Sequence, residues 1–417
     1  MPMSQDFQDR LNRMLPQIVN LYGTPFHIYD EKGIQETGKR LIKAFNGVRG
    51  FREYFAVKAN PNLILLAMLK KMGFGFDCSS IPELKMARIL GAKPKDIMFT
   101  SNNTSLAEFE EAAKNGGCIL NLDDVTMTRN VPRMPKLICF RYNPGPRRTG
   151  NSIIGNPVEA KYGVTPEQIV YAYRIAKVAG AKKFGLHTMV ASNELNYQYM
   201  IETIRMLISV TELVQKKLGI RFEFWNMGGG IGIPYRPEQQ AVPIELLAKE
   251  IKKLLDKFQK KHGYAPKLFM ECGRYLTGAH GVLVTTVINR MSKYQKYVGV
   301  DACMSSLMRP ALYDAYHHIT VLGQTDSQDE EFEVVDVVGS LCENNDKFAK
   351  KRKLRKTKKG NILIIHDTGA HGYAMCFTYN GRLRPQELLL RADNSVELIR
   401  RAETFDDYLS TQVYAQN

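Results

Sequence analysis

Apolar residues in this chain gather in short consecutive runs and do not alternate with polar ones. Eight such runs recur between Glu53 and Tyr275: Glu53–Ala59, Phe74–Ser80, Ile97–Ser101, Cys118–Asp124, Leu137–Asn143, Phe184–Val190, Phe222–Gly230 and Leu268–Tyr275. Strands buried on both faces read this way, because neither face needs polar cover. Between them lie amphipathic segments such as "NLILLAMLKKM", "SLAEFEEAAKN" and "PIELLAKEIKKLLDKFQKKHG". Their apolar residues recur at helical spacing, and the last closes on Gly263. Eight strands with helices between them over about 250 residues predict a (β/α)8 barrel. A doubly wound sheet also alternates, usually with fewer strands.

After Gly281 the texture changes. "GVLVTTVINRM", "YQKYVGVDA", "HHITVLG", "FEVVDVVGS" and "NILIIHD" are strand-like with little helix between them. They predict a separate, mostly β domain over residues 281–417. The barrel is placed at residues 31–280. "TPFHIYD", Thr24–Asp30, precedes the first barrel strand and is assigned, within 1–30, to the β domain.

Composition narrows the class of protein. The chain has 417 residues, 44% hydrophobic and 24% charged, an ordinary globular balance. No apolar run approaches the roughly 20 residues of a membrane span, so no membrane partner is expected. The start lacks the apolar core of a secretory signal. Seven cysteines without metal-type spacing suggest a reducing, cytoplasmic setting, no disulfide framework and no metal site. The net charge is +16, and much of it lies in "KFAKKRKLRKTKKGN", Lys347–Asn361. A nucleic-acid patch is one reading of Lys347–Lys359 and a solvated loop on a basic protein the other. No nucleic-acid motif accompanies the run, so the loop is preferred and no nucleic-acid partner is expected.

The chemistry concentrates where strands end. Lys58, Asp77, Ser101-Asn102, Arg141 with Asn143, His187, Gly228–Gly230, and Glu271 with Arg274 all lie at such ends, where barrel active sites form. A lysine among apolar neighbours has its ammonium disfavoured, which frees its amine to bond an aldehyde. A glycine triplet lets backbone N–H groups approach a phosphate closely. A glutamate beside a pyridine nitrogen keeps that nitrogen protonated, and an arginine can grip a carboxylate with two hydrogen bonds. Together they describe a site for pyridoxal 5'-phosphate, whose protonated ring draws electrons from the carbon that loses a carboxylate.

With "YFAVKANPN", "NMGGGIG", "ECGRYLTGAHGVLV", "DACMSSLMRPALYDAYH", "GSLCENND" and "DTGAHGYAMCFTYNGRLRPQELLL" in this order, the chain resembles the fold-type III, alanine-racemase-like pyridoxal-phosphate decarboxylases. Within them it is most similar to the diaminopimelate decarboxylases. The resemblance implies that Lys58 bonds the cofactor and that Cys342 donates a proton. It implies cofactor contacts at Asp77, His187, Met189, Ser192, Gly229, Gly230, Glu271, Gly273, Arg274 and Tyr373. It gives Arg274, Arg309, Tyr313, Glu343 and Tyr373 to the substrate, meso-diaminopimelate, which would leave as L-lysine and carbon dioxide. It also implies a homodimer in which the Cys342–Glu343 loop and Tyr373 complete a neighbouring subunit's site.

One stretch departs from the family. The usual run is His-x-His-x-Gly-Ser, and here it is "HTMVAS", with Met189 at the second histidine. A thioether packs on an aromatic face but moves no proton. His187 lies two residues earlier on the same strand face, so which of the two faces the cofactor ring stays open. Cys303 stands where a glycine is usual. Ornithine, arginine or carboxynorspermidine are alternative substrates. A catalytically inactive, cofactor-binding regulatory homologue is the reading from another class. Arginine stands at the pyridine nitrogen in alanine racemases, where this chain offers Glu271.

Overall fold

The computed structural model describes residues 3–150, 155–323 and 331–413. Its described residues form two compact units. One draws on Met1–Ile34, Pro234–Gln239 and Leu276–Asn417, the other on Gln35–Ile233 and Gln240–Tyr275.

The chain begins with α1 (Gln5–Tyr22), β1 (Phe26–Asp30) and α2 (Glu31–Ala44). Eight parallel strands then close a barrel among the described residues. They are β2 (Arg52–Ala56), β3 (Gly75–Cys78), β4 (Ile97–Phe99), β5 (Ile119–Leu122), β6 (Leu137–Tyr142), β7 (Lys183–Thr188), β8 (Phe222–Asn226) and β9 (Lys267–Met270). Helices α3 (Leu63–Lys71), α4 (Ile81–Ile89), α5 (Leu106–Ala113), α6 (Ile169–Val178), α7 (Tyr197–Leu218) and α8 (Ile244–His262) run between them. Closure is made by β2 on β9, with Arg52 opposite Phe269 and Glu53 opposite Met270. Tyr54, Met98, Ile119, Cys139, Phe224 and Phe269 form one buried cluster. In it the Phe224 and Phe269 rings stack at 4.4 Å. Such a pair adds about 1 kcal/mol to what its buried area contributes.

The other unit is built on β10 (Gly281–Ser292), β11 (Lys296–Val300), β12 (Ile319–Val321), β13 (Phe332–Val338), β14 (Lys347–Arg355), β15 (Ile362–Ile365), β16 (Gln386–Leu390) and β17 (Val396–Arg400), joined by β1. β1 pairs antiparallel with β10 and parallel with β16. Among the described residues no helix is long and apolar enough to cross a membrane.

Three features differ from expectation. Helix α1 was not anticipated: Phe7, Leu11, Leu15 and Ile18 sit in a polar segment, yet all four are buried against β1, β10 and β16. Strands end earlier than the apolar runs do. β2 stops at Ala56 and Val57–Ala59 makes one 3₁₀ turn, closed by the Asn60 N–H on the Val57 carbonyl; β8 stops at Asn226, before the glycines. The basic run Lys347–Arg355 is a strand and not a loop. It pairs with β13 through two register shifts, burying Phe348, Ala349 and Leu354. Those irregularities break the alternation that would have marked it as a strand.

Candidate functional site

The ends of the barrel strands bring most of the expected residues together. Lys58, on the turn after β2, reaches to 3.8 Å of Asp77 Oδ2 at the end of β3. These two line a cavity of about 250 Å³ with Arg141, His187, Met189, Gly229 and Glu271. The apolar setting expected for Lys58 is not found. Its neighbours are polar, and its side chain is 51% exposed at the cavity.

Glu271, just past β9, is buried and held from two sides. His187 Nε2 lies 3.0 Å from its Oε2, and Asn226 Nδ2 donates to its Oε1 at 2.6 Å. The register makes this possible: Arg141, His187 and Asn226 stand side by side on β6, β7 and β8. Burial pushes the Glu271 carboxyl up, but His187, Lys58 and Asn226 outweigh it and hold the pKa below the ordinary value. Asp77 goes the other way. Burial drives its pKa well up, and the nearby Glu271 charge drives it further, against the pull of Lys58 and Arg141. Two carboxyls in one cavity are thus pushed in opposite directions, Glu271 toward its charged form and Asp77 away from it.

Glycines shape the next wall. The Glu271 N–H donates to the Gly228 carbonyl at 2.9 Å. A methyl on Gly229 would lie 2.2 Å from the Glu271 carbonyl oxygen, so only glycine fits there. Gly230 has φ of +97°, a conformation that side chains strongly disfavour. Gly273 approaches Ala59, and a methyl on it would sit 2.5 Å from the Ala59 Cβ. Arg274 is buried, and Ser192 is half-buried one residue after Ala191, whose carbonyl adjoins Gly230. Arg141 is spent on structure: it is ion-paired with Asp123, bonds Asn102 Oδ1 at 2.6 Å, and lies over the Tyr162 ring.

The remaining expected residues belong to the unit built on β10–β17. Arg309 opens α10 (Arg309–Tyr313), following the four-residue α9 (Arg274–Thr277) in the chain. Its Nη1 bonds His317 Nε2 at 2.8 Å. His317 Nδ1 faces the His366 carbonyl at 2.7 Å, which makes Nδ1 the donor and leaves Nε2 to accept from Arg309. Tyr313 is half-buried on the same helix. Cys342 is exposed, and its N–H donates to Asn380 Oδ1 at 2.7 Å. Glu343 accepts from the Asn345 N–H at 3.0 Å. Tyr373 meets His27 edge to face, with Arg400 4.8 Å above its ring, and burial pushes its hydroxyl pKa up.

Sequence reasoning missed Asn226, which orients Glu271, and the Tyr235–His317 pair around Arg309. An asparagine immediately before the glycine triplet was the available signal for the first. Nothing local marked the second.

Residues 32–278 match the family described as "Pyridoxal-dependent decarboxylase, pyridoxal binding domain". "Protein TabA" of Pseudomonas amygdali pv. tabaci is 48% identical, covering 98% of this chain and 96% of its own. The "Diaminopimelate decarboxylase" of Methanothermobacter thermautotrophicus is 34% identical over 95% of this chain and 93% of its own. Among solved structures, the diaminopimelate decarboxylase of M. jannaschii in complex with L-lysine superimposes with a TM-score of 0.87. It is 30% identical and covers 96% of this chain and 94% of its own.

Proposed function

Because this chain belongs to the pyridoxal-dependent decarboxylases, we propose that it removes carbon dioxide from meso-2,6-diaminopimelate to leave L-lysine. The observation that carries this reading is Glu271, held by His187 and Asn226 in the same cavity as Lys58.

The family's cofactor is pyridoxal phosphate, and the barrel residues fit it. Lys58 offers the amine for its aldehyde. Glu271 offers a fixed negative charge for its ring nitrogen. The turn through Gly229 and Gly230 offers backbone N–H groups for its phosphate, and Gly230 adjoins Ala191, the residue before Ser192. When bound, the group supplies an electron sink for the pair left on the substrate carbon as carbon dioxide departs. Asp77, whose pKa burial drives up, stands 3.8 Å from the Lys58 amine and helps position it. Met189 presents a thioether to the ring in place of an imidazole, and His187 acts on the ring through Glu271.

Substrate recognition falls to Arg274, Arg309, Tyr313, Glu343 and Tyr373 in this reading. Diaminopimelate carries two carboxylates and two amines. Its reacting end is held at Lys58, so its far end needs a cation for the carboxylate and an acid for the ammonium. Arg309 is pre-oriented for the first by His317, and Glu343 suits the second. A missed ionic contact of this kind costs several kcal/mol of discrimination. Cys342, exposed on its loop, donates the proton that replaces the lost carboxylate. A homodimer with shared sites belongs to the same reading.

A second reading is a different amino acid under the same chemistry, ornithine, arginine and carboxynorspermidine among them. It is favoured by the 48% identity to Protein TabA and by Met189 in place of the family histidine. Carbon dioxide release from meso-diaminopimelate, measured beside ornithine, tests the choice. Turnover of diaminopimelate at least about 100-fold faster supports the first reading. The cofactor's absorbance with no carbon dioxide from any of these substrates supports a non-catalytic, regulatory protein.

A further inference from the structure

The basic run singled out in the sequence helps build another cavity, of about 350 Å³, in the unit of β10–β17. It lies between β14 and the segment after α10, with Arg236 on its rim. Five cationic side chains line it against one carboxylate, Asp314. Two are arranged unusually. The Arg352 guanidinium lies 4.1 Å from the centroid of Tyr316 and that of Arg236 4.5 Å from the same centroid.

Two cations gathered on one ring repel each other. Burial lowers the Arg352 pKa, and the Arg236 charge lowers it further. Neither guanidinium is ion-paired to an acid among the described residues. Lys347 is already matched to Asp336 at 3.1 Å, and Lys350 reaches Asp314 only at the exposed surface, at 3.5 Å. Arg352 is nonetheless held in place. Its Nη1 donates to the His317 carbonyl at 2.8 Å, and β13–β14 pairing fixes its backbone. Arg352 is half-buried and held by the His317 carbonyl, Arg236 is exposed beside it, and two guanidiniums brought to one ring are complementary to an oxyanion, which each can grip with two hydrogen bonds.

We propose that the cavity between Arg236, Arg352 and Tyr316 binds a small oxyanion carrying two or more negative charges, of the phosphate or carboxylate class. A recessed cavity with its arginines laid on a ring suits a small ligand better than a nucleic-acid backbone, which would engage the exposed Lys350, Lys351 and Lys353 instead.

Calorimetric titration of the cofactor-loaded protein, so that the barrel site is filled, tests this. The probes are pyrophosphate and citrate at matched ionic strength, against wild type, Arg236→Gln and Arg352→Gln. Arg236→Gln removes the charge without touching the His317 contact, so it reports the site even where Arg352→Gln disturbs folding. Saturable binding of either anion, weakened at least tenfold by Arg236→Gln, is the expected result, and the probe that binds identifies the source of the charge. Absence of binding to wild type, or equal binding by the Arg236→Gln protein, overturns the site. So does binding of a DNA oligonucleotide that Lys350→Gln with Lys353→Gln abolishes and Arg236→Gln leaves intact, if neither small anion binds.

Discussion

His187 Nε2 lies 3.0 Å from Glu271 Oε2, and this contact helps hold the Glu271 pKa below its ordinary value. Burial works against ionisation of Glu271, and His187 is the foremost of the groups that reverse it. His187→Ala therefore leaves burial less opposed and raises the Glu271 pKa. The carboxyl then takes up its proton at higher pH than in the wild type. The acid limb of kcat/KM should move to higher pH, with a loss of about tenfold at neutral pH for a buried hydrogen bond of about 1.4 kcal/mol. A pH profile of carbon dioxide release checks this, and an unmoved acid limb would show that Glu271 is held by other means.

Lys58→Ala should lower activity by at least about 10³-fold, because no other amine stands in the cavity to bond the aldehyde except Lys161 on its wall. The cofactor's bound absorbance band should vanish with it. Folding should change little: the side chain is 51% exposed and its Nζ lies 3.8 Å from Asp77 Oδ2. A contact this long contributes about 0–1 kcal/mol. Thermal unfolding of the cofactor-free proteins separates the two effects.

Gly229→Ala sets a methyl 2.2 Å from a backbone oxygen that cannot move without Glu271. Overpacking of this kind costs about 1–3 kcal/mol, so cofactor affinity should fall about tenfold or more. Gly47→Ala is the control, since its methyl would meet only the flexible Lys252 chain at 3.5 Å. Equilibrium dialysis against pyridoxal phosphate measures both, and equal affinities would remove the glycine turn from the cofactor's surroundings.

Glu53, buried on β2, accepts a hydrogen bond from the Cys272 N–H. Burial raises its pKa well above the ordinary value, and the Glu271 charge adds to this. The folded protein therefore keeps this proton to higher pH than the unfolded chain does. Stability falls as pH rises above the unfolded value, by this group's share. Glu53→Gln removes that share while its amide oxygen still accepts from Cys272. The variant should gain stability relative to wild type at pH 8 and not at pH 4. Urea unfolding at the two pH values reads the difference, and equal gains at both would assign it to packing.

Much of the fold was legible along the chain. Consecutive apolar runs revealed the barrel strands, because a strand covered on both faces needs no polar alternation. Lys58, Asp77, His187, Gly229 and Glu271 were legible as chemistry because parallel strands deliver their ends to one face, and these residue types stand at those ends. Helix α1 and strand β14 were not, because their burial depends on distant partners: α1 on β1, β10 and β16, and β14 on the shifted register of β13.

Residue type along the chain was enough to read the barrel and the sheet unit and to single out the amine, the acid and the glycine turn as candidates, since each depends on a local position. What could not be read along the chain is that the Glu271 pKa is held down while that of Asp77 is driven up, that Asn226 and His187 hold the former, and that Arg236 and Arg352 share one ring. The reason is physical. The charge of a buried group follows from distances and desolvation, and those quantities exist only once strands far apart in the chain stand side by side.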